Sequence, residues 1–85
     1  MIETDRNEIK NSIIKIMASV LNADADSITE DLELDSDLRI DSLALYEIVV
    51  DIEDKYSLQI TNDEADDLKT VGEAIDFIVN KIQHP

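Results

Sequence analysis

Residues 5–21 contain the sequence DRNEIKNSIIKIMASVL, in which apolar side chains recur at steps of three and four. That spacing forms one face of an α-helix, so the stretch predicts a helix over about 6–21. Asp5 precedes Glu8 by three residues, the spacing of a capping box with Asp in place of Ser or Thr. The predicted stripe consists of Ile9, Ile13, Ile16, Met17, Val20 and Leu21.

Further along the chain, the same period predicts three more helices. Thr70 and Glu73 have the spacing of a capping box that opens a second long helix. Its stripe consists of Ile75, Ile78, Val79 and Ile82. Residues 43–56 predict a third long helix, whose expected core-facing side chains are Leu43, Tyr46, Val49, Val50 and Ile52. A short helical turn is expected to start after Thr61 or Asn62 and to run to about Leu68.

The fold class follows from these helices and from the scarcity of turn residues. With one Gly and one Pro in 85 residues, the chain lacks the turn signals of an all-β fold. We predict an all-α domain: a small four-helix bundle of three long helices and one short, with a long ordered loop between the first two. The loop covers residues 22–40 and carries regular apolar anchors, which are Ile28, Leu32, Leu34, Leu38 and Ile40.

Acidic residues dominate the middle of the chain. The whole chain has 21 Asp and Glu against seven Lys and Arg, a formal net charge of −14. Residues 22–68 hold 16 of the acids and two of the bases, and the remainder holds five of each. Such a charge repels phosphate backbones and anionic lipid, so it argues against nucleic-acid and membrane-surface binding and favours basic protein partners. The acids are either a solvated surface or a docking face, and their confinement to one segment favours docking.

The residue inventory leaves little material for catalysis. The only His is His84, beside the chain end, and there is no Cys to act as nucleophile, metal ligand or disulfide partner. We therefore expect no enzyme activity. No apolar run approaches the length of a membrane span, and a cytoplasmic location is expected.

A calcium loop is an alternative from a different functional class. Oxygen-bearing residues occupy positions one, three, five, nine and twelve of an EF-hand spacing, namely Asn22, Asp24, Asp26, Glu30 and Glu33. Ser27 stands where that loop requires Gly, however, and no second loop follows. The spacing leaves an acidic calcium-binding interaction domain open as a second hypothesis.

Ser42 is the most informative hydroxyl in the chain because it lies where the third predicted long helix begins. One interpretation is an N-cap that bonds its own helix. The other is an attachment point, since a phosphodiester on Ser42 would lie beside the positive end of the helix dipole.

The surrounding residues carry a resemblance to a known family. Residues 38–47, LRIDSLALYE, with IEDKY at 52–56 and LQI at 58–60, resemble the acyl carrier proteins of dissociated fatty-acid and polyketide synthases. Residues 68–78, LKTVGEAIDFI, are similar to the closing segment of that family, and residues 28–31, ITED, to its loop. The likeness covers nearly the whole chain.

The resemblance implies a single carrier domain over residues 1–85 rather than a catalyst. Ser42 would receive 4′-phosphopantetheine from coenzyme A through a phosphopantetheinyl transferase, and the thiol of that group would hold acyl chains as thioesters. The expected pathway is fatty-acid synthesis, with a polyketide or specialised acyl pathway as the alternative.

The implied partners are acyl-chain synthesis and transfer enzymes with basic docking patches, and a monomer is expected. The implied docking residues are Asp41, Leu43, Glu47, Glu53 and Asp54, and the implied liners of an acyl pocket are Tyr46, Ile52 and Ile60.

Four positions depart from the family pattern. Arg39 stands where the family usually has Gly, and a base there could hold the phosphate or weaken the docking of a basic transferase. Ala44 replaces a common acid, as in polyketide carriers. Ser57 and Thr61 replace a frequent Gly and Pro. These departures leave the carrier interpretation in place and leave the pathway open.

Overall fold

The computed structural model describes residues 5–84, and within them the chain forms four α-helices. The helices are α1 (Arg6–Leu21), α2 (Ser42–Tyr56), α3 (Asn62–Asp66) and α4 (Val71–Gln83), and a 3₁₀ turn at Ala25–Ser27 lies in the first connection. The only strand-like pairing in the described part of the chain is an isolated antiparallel bridge between Glu33 and Thr70. The prediction of an all-α fold with three long helices and one short is therefore confirmed.

The ends of α1 are determined by local hydrogen bonds. The carboxylate of Asp5 accepts the amide N–H of Asn7 at 3.0 Å, so Asp5 is the N-cap as predicted, although its bond goes to Asn7 and not to Glu8. At the other end Asn22 adopts a left-handed conformation with φ of 55°. Asn tolerates this region better than most residues, and its amide returns to the carbonyl of Ala18, which ends the helix.

The core lies where α1 packs against both α2 and α4. Its most completely buried side chains are Ile9, Ile13, Met17, Val71, Ile75 and Ile78. All of the α1 members and both isoleucines of α4 belong to the predicted stripes, because helical period alone places them on one face. No helix within residues 5–84 has the length and apolar character needed to cross a membrane.

The core face of α2 differs from the prediction. Leu43 is 69% exposed, Tyr46 49% and Val50 50%, so the expectation that these three face the core is wrong. The buried side chains of α2 are Ile48 and Ile52. The helix carries two sets of apolar residues at helical spacing: Leu43, Tyr46 and Val50 form one, and Ile48 and Ile52 belong to the other. Only one set can face α1, and it is the second that is buried.

The long connection between α1 and α2 is ordered, as predicted, because apolar anchors and backbone hydrogen bonds hold it over the start of α4. Ile28, Leu34 and Ile40 are buried. The amide of Leu34 donates to the carbonyl of Lys69 at 2.9 Å, and that of Val71 donates to the carbonyl of Leu32 at 3.1 Å. Pairing of this kind satisfies backbone groups that a buried loop would otherwise leave unbonded.

An ionic cluster reinforces the attachment of this loop. Arg6 donates from two nitrogens to the two carboxylate oxygens of Glu30, at 2.7 and 3.0 Å, and from its Nε to Asp76 at 2.8 Å. Lys10 lies 3.3 Å from the same Glu30 carboxylate. The hydrogen bonds from Arg6, with a smaller contribution from Lys10, lower the pKa of Glu30 to about 2. The loop is thus tied to α1 and α4 together.

The capping of α3 and α4 differs from the prediction, because the complete capping box forms at α3 and not at α4. The predicted reciprocal box at Thr70 is only half formed: Thr70 accepts the amide of Glu73 at 3.1 Å, whereas the Glu73 carboxylate accepts the amide of Lys69 at 3.0 Å. The complete box occurs at α3, where Thr61 and Glu64 bond each other's backbone amides. Thr61 is therefore useful as an N-cap in a place where Pro would supply no hydroxyl.

Candidate functional site

The N-terminus of α2 is built on Asp41. Its carboxylate accepts the amide N–H of Ala44 at 2.8 Å, which makes Asp41 the N-cap and Ser42 the first residue of the helix. The interpretation of Ser42 as the cap is therefore wrong. Ser42 is exposed, and its hydroxyl makes no hydrogen bond to any residue in the described range 5–84. Because Asp41 supplies the cap, the Ser42 hydroxyl is available for chemistry.

The residues just before the cap are held in a defined conformation. Ile40 is buried, and its amide donates to the carbonyl of Leu34 at 2.9 Å. Arg39 has a φ of 53°, a left-handed conformation that a residue with a Cβ adopts at a cost. This backbone geometry explains why Gly suits the position in the resembling family. Arg39 itself is exposed to solvent.

Two clefts open beside Ser42. The larger, here called the loop cleft, has a volume of about 350 Å³. It is lined by Glu33, Leu34, Asp35, Ile40, Asp41, Ser42, Leu45, Ala65, Asp66, Leu68 and Lys69. The smaller, called the α2–α3 cleft, has a volume of about 140 Å³. It is lined by Ser42, Leu45, Tyr46, Val49, Asn62, Ala65 and Asp66.

A small apolar cavity lies deeper in the bundle and shares walls with both clefts. Its volume is about 20 Å³, and Leu45 is common to the cavity and the two clefts. Ile52 and Ile60, two of the three predicted pocket residues, line this cavity. Tyr46 lies instead on the α2–α3 cleft, close to Ser42. The three predicted residues are therefore divided between the interior and the cleft above it.

The short helix α3 forms one wall of both clefts, through Ala65 and Asp66, and a lysine from α4 holds it in place. Lys81 Nζ lies 3.1 Å from the Glu64 carboxylate and donates to the carbonyl of Gln59 at 3.0 Å. The backbone amide of Thr61, followed by Lys81, lowers the pKa of Glu64. The contacts of this carboxylate thus tie α3 to its own N-cap and to α4.

The predicted docking residues share one side of α2 only in part. Leu43, Glu47 and Asp54 are exposed. Glu53 is half-buried, and its carboxylate accepts the amide of Ile60 at 2.8 Å, so it also closes the connection after α2. The exposed side chains of Tyr46 and Val50 extend the apolar surface that begins at Leu43, although their helical spacing had predicted a place in the core.

The calcium alternative gains no support from the geometry. Across residues 5–84, no three Asp, Glu or His side chains lie together in a way that could hold a metal ion. Two of the five spaced oxygen donors already have structural roles: Asp24 caps the 3₁₀ turn, and Glu30 pairs with Arg6. The EF-hand spacing is therefore not matched by a group of metal ligands among the described residues.

The structure also brings a basic residue, Lys69, to the lining of the loop cleft, and no sequence motif marks it as a site residue. It lies 27 positions after Ser42, and no local pattern connects the two. The pairing of the long loop with residues 69–72 brings them together. The position of Lys69 at this cleft could have been predicted only by predicting that the loop pairs with residues 69–72.

Comparisons with known proteins agree with this architecture. The family model for the phosphopantetheine attachment site matches residues 11–78. The acyl carrier protein of Lactobacillus johnsonii is 41% identical over 71 residues, covering 84% of this chain and 89% of that protein. That of Porphyromonas gingivalis is 31% identical over 77 residues, covering 91% and 99%. A solved structure of the acyl carrier protein from Enterococcus faecalis superposes with a TM-score of 0.74 at 33% identity, covering 89% of this chain and 96% of that one.

Proposed function

The chain belongs to the acyl carrier protein family, and on that premise we propose that Ser42 is the residue that carries its covalently bound 4′-phosphopantetheine. Members of this family are carriers rather than enzymes, and they interact with a transferase and with acyl-chain synthesis enzymes. The observation that carries the proposal is the exposed Ser42 hydroxyl at the first position of α2, beside two clefts. It lies inside the matched range 11–78.

The residues around Ser42 fit an attached phosphate. Asp41 occupies the cap, so Ser42 Oγ has no competing bond among the described residues. The first amide groups of a helix and its dipole favour a negative charge at this end. When attached, 4′-phosphopantetheine supplies the thiol that this chain lacks, since the sequence contains no Cys.

In the proposed attachment, Ser42 Oγ forms a bond to the phosphorus of coenzyme A that bears the pantetheine. The bond from that phosphorus to the adenosine bisphosphate portion breaks, and the proton of the Ser42 hydroxyl passes to a base on the transferase. This chain contributes the nucleophilic oxygen and its exposure.

Intact-mass analysis tests the attachment site. After incubation with coenzyme A and a broad-specificity phosphopantetheinyl transferase, the wild-type chain should gain one phosphopantetheinyl group. Ser42→Ala should gain none, and Ser57→Ala, which removes another exposed hydroxyl, should gain one. A wild-type chain that stays at its original mass, or an equal gain in Ser42→Ala, would contradict the proposal.

We further propose that partner enzymes dock on α2 through Asp41, Leu43, Glu47, Glu53 and Asp54. In support, Glu47 and Asp54 form no ion pair within residues 5–84 and are exposed. Exposed pairs with a partner's Lys or Arg contribute little each, about 0–1 kcal/mol, so docking is expected to be weak, fast and sensitive to salt. Such docking suits a carrier that must leave each enzyme.

Transferase kinetics test the docking face. Glu47→Gln should lower kcat/KM for the transferase and flatten its dependence on salt, because one attractive charge is lost. Glu8→Gln, which removes an exposed acid from α1, should leave both unchanged. Equal effects of the two variants would assign the response to net charge rather than to a docking face.

The acyl chain is proposed to enter the bundle between Tyr46, Ile52 and Ile60. The apolar cavity that Ile52 and Ile60 line supports this, and Tyr46 lies on the cleft between that cavity and Ser42. A cavity of about 20 Å³ holds no more than a fragment of a chain, so the side chains must move apart. Longer attached acyl chains should therefore shift the amide resonances of Ile52 and Ile60, and unchanged resonances would place the chain outside the bundle.

For the pathway, we propose fatty-acid synthesis. The similar proteins from Lactobacillus johnsonii and Porphyromonas gingivalis are acyl carrier proteins whose names specify no pathway, and Ala44 with Leu45 keeps a polyketide or specialised pathway as the alternative. Reconstitution with purified fatty-acid elongation enzymes distinguishes them, because a correctly loaded carrier that supports no elongation would favour the alternative. The single domain, the monomeric state and the cytoplasmic location remain predictions.

A further inference from the structure

Residues 59–61, here called the Ile60 segment, lie in the connection between α2 and α3, and Ile60 lines the small apolar cavity. Side chains of two helices hold the backbone of this segment. The amide of Ile60 donates to the Glu53 carboxylate of α2 at 2.8 Å, and the carbonyl of Gln59 accepts from Lys81 Nζ of α4 at 3.0 Å. A widening of the cavity at Ile60 therefore acts against both bonds.

Lys81 holds the segment a second time, through Glu64. Its Nζ lies 3.1 Å from the Glu64 carboxylate, and that carboxylate accepts the amide of Thr61 at 2.9 Å. The same Nζ lies 5.4 Å from the centroid of the Phe77 ring, a cation–π contact within α4. One ammonium group thus links α4 to the Ile60 segment and to the first turn of α3.

Apolar packing holds α3 only weakly. The helix has five residues, and its one buried side chain is Ala65. An alanine side chain removes little apolar surface from water, so it contributes little to the attachment of α3. The polar contacts of Lys81 therefore carry a large share of what keeps α3 against the bundle.

We propose that Lys81 is a positioning residue that sets how readily the bundle opens to an attached acyl chain. This inference rests on the proposed acyl route past Tyr46 and between Ile52 and Ile60. The α2–α3 cleft on that route has α3 as its second wall, so opening it moves α3 and the Ile60 segment away from the position that Lys81 stabilises.

Chain length is the property that this restraint would select. The cavity has a volume of about 20 Å³, so a chain that enters must displace its walls. A short chain buries too little apolar surface to offset the contacts of Lys81 that are lost, and each further methylene adds to the surface buried. Lys81 would thereby raise the chain length at which an acyl group leaves solvent for the interior.

Hydrogen exchange tests the restraint in the protein without an attached group. Lys81→Met keeps an unbranched side chain but removes the donor and the charge. The amide of Ile60 should then exchange about two- to fivefold faster than in the wild type, the range for one partly exposed ion pair. Lys81→Arg should restore the wild-type rate. Lys10→Met is the matched control, because it removes an ion pair of similar exposure that lies at Glu30, and Ile60 should keep its wild-type rate.

Acyl chains of graded length test the consequence. The reporter is the amide of Ile52, which lines the cavity and takes no part in the contacts of Lys81 described above. The hexanoyl resonance, placed between the acetyl and decanoyl resonances of the same protein, gives the ratio of inserted to solvent-exposed chain. This ratio should be about two- to fivefold higher in Lys81→Met than in the wild type. It should be unchanged in Lys10→Met.

The outcomes separate this inference from the proposals beneath it. Mass analysis verifies the acyl group on each sample, so a failure of attachment at Ser42 is seen directly. A wild-type Ile52 resonance that is the same with acetyl and decanoyl chains would contradict the acyl route, and the inference with it. Equal inserted ratios in the wild type and Lys81→Met, or equal effects of Lys81→Met and Lys10→Met in either experiment, would overturn the role of Lys81 and leave the acyl route in place.

Discussion

The amide N–H of Gly72 donates to the carbonyl oxygen of Glu30 at 2.9 Å, which brings the first turn of α4 into direct contact with the long loop. A Cβ at Gly72 would lie 3.2 Å from the Glu30 carboxylate oxygen and 3.3 Å from its carbonyl oxygen. The same Glu30 carboxylate accepts two hydrogen bonds from Arg6. The close approach of the loop to α4 at this point therefore favours a residue without a side chain at position 72.

Gly72→Ala should destabilise the protein by about 1 kcal/mol. The Glu30 side chain cannot move aside without stretching its bonds to Arg6, and this cost exceeds the gain in helix propensity from Ala. Urea unfolding measures the change. Asn80→Ala, at an exposed position of the same helix, should leave stability within about 0.5 kcal/mol of wild type. A more stable Gly72→Ala protein would show that the loop yields freely.

Glu30→Gln should make the protein less stable near neutral pH by roughly 1 kcal/mol, because the Arg6 pair is about one-third exposed and solvent weakens it. The pKa of Glu30 falls from 4.5 to about 2 on folding, so the wild-type carboxylate contributes stability above about pH 5. That contribution is lost as the pH falls toward 2.

The measurement for Glu30 is the difference in unfolding free energy between wild type and variant across this pH range. The difference should shrink on acidification. Glu8→Gln removes an exposed acid that has no ion pair in the described chain, and its difference from wild type should stay small throughout. A Glu30 difference that is independent of pH would show that the pair does not stabilise the fold.

Asp41→Ala should cost about 1 kcal/mol of stability because Ala44 loses the acceptor for its amide. Asp41→Asn keeps an acceptor at the cap and should cost only a few tenths of a kcal/mol, from the lost charge at the helix end. Thermal unfolding of both variants separates capping from charge. Equal losses of stability in Asp41→Asn and Asp41→Ala would mean that the charge, and not the hydrogen bond, stabilises this end of α2.

Arg39→Gly should be more stable than Arg39→Ala by about 1 kcal/mol, since φ of 53° is easily reached by Gly and strained for Ala. Both variants lack the positive charge, so their comparison isolates the backbone. Ser57, with φ of 54°, offers the same pair of substitutions at the end of α2 and should show the same order. Equilibrium unfolding in urea gives the difference in unfolding free energy between the Gly and Ala variants at each site. Equal stability of the Ala and Gly variants at both sites would refute the strain argument.

Patterns among neighbouring residues were enough to predict the helices and to identify the family. The bounds of α1 agree with the predicted 6–21, since the apolar period and the cap at Asp5 are properties of neighbouring residues. The resemblance carried by residues 38–47 is confirmed by the family match, and so are the carrier role and the phosphopantetheine cofactor. The structure leaves the individual roles of Ser42 and of the docking residues as proposals.

The sequence by itself determined four helices, an acidic middle segment and the Asp41-Ser42-Leu43 motif, because helical period, charge and short motifs depend on residues close together in the chain. Only the tertiary structure decided which of the two apolar stripes of α2 is buried, because that choice depends on how α1 packs. It also placed Lys69 at the cleft beside Ser42, since the loop pairing joins residues such as Leu34 and Lys69 that are 35 positions apart in the chain. Contacts between distant segments leave no periodic signal in the sequence, and the surroundings of Ser42 consist largely of such contacts.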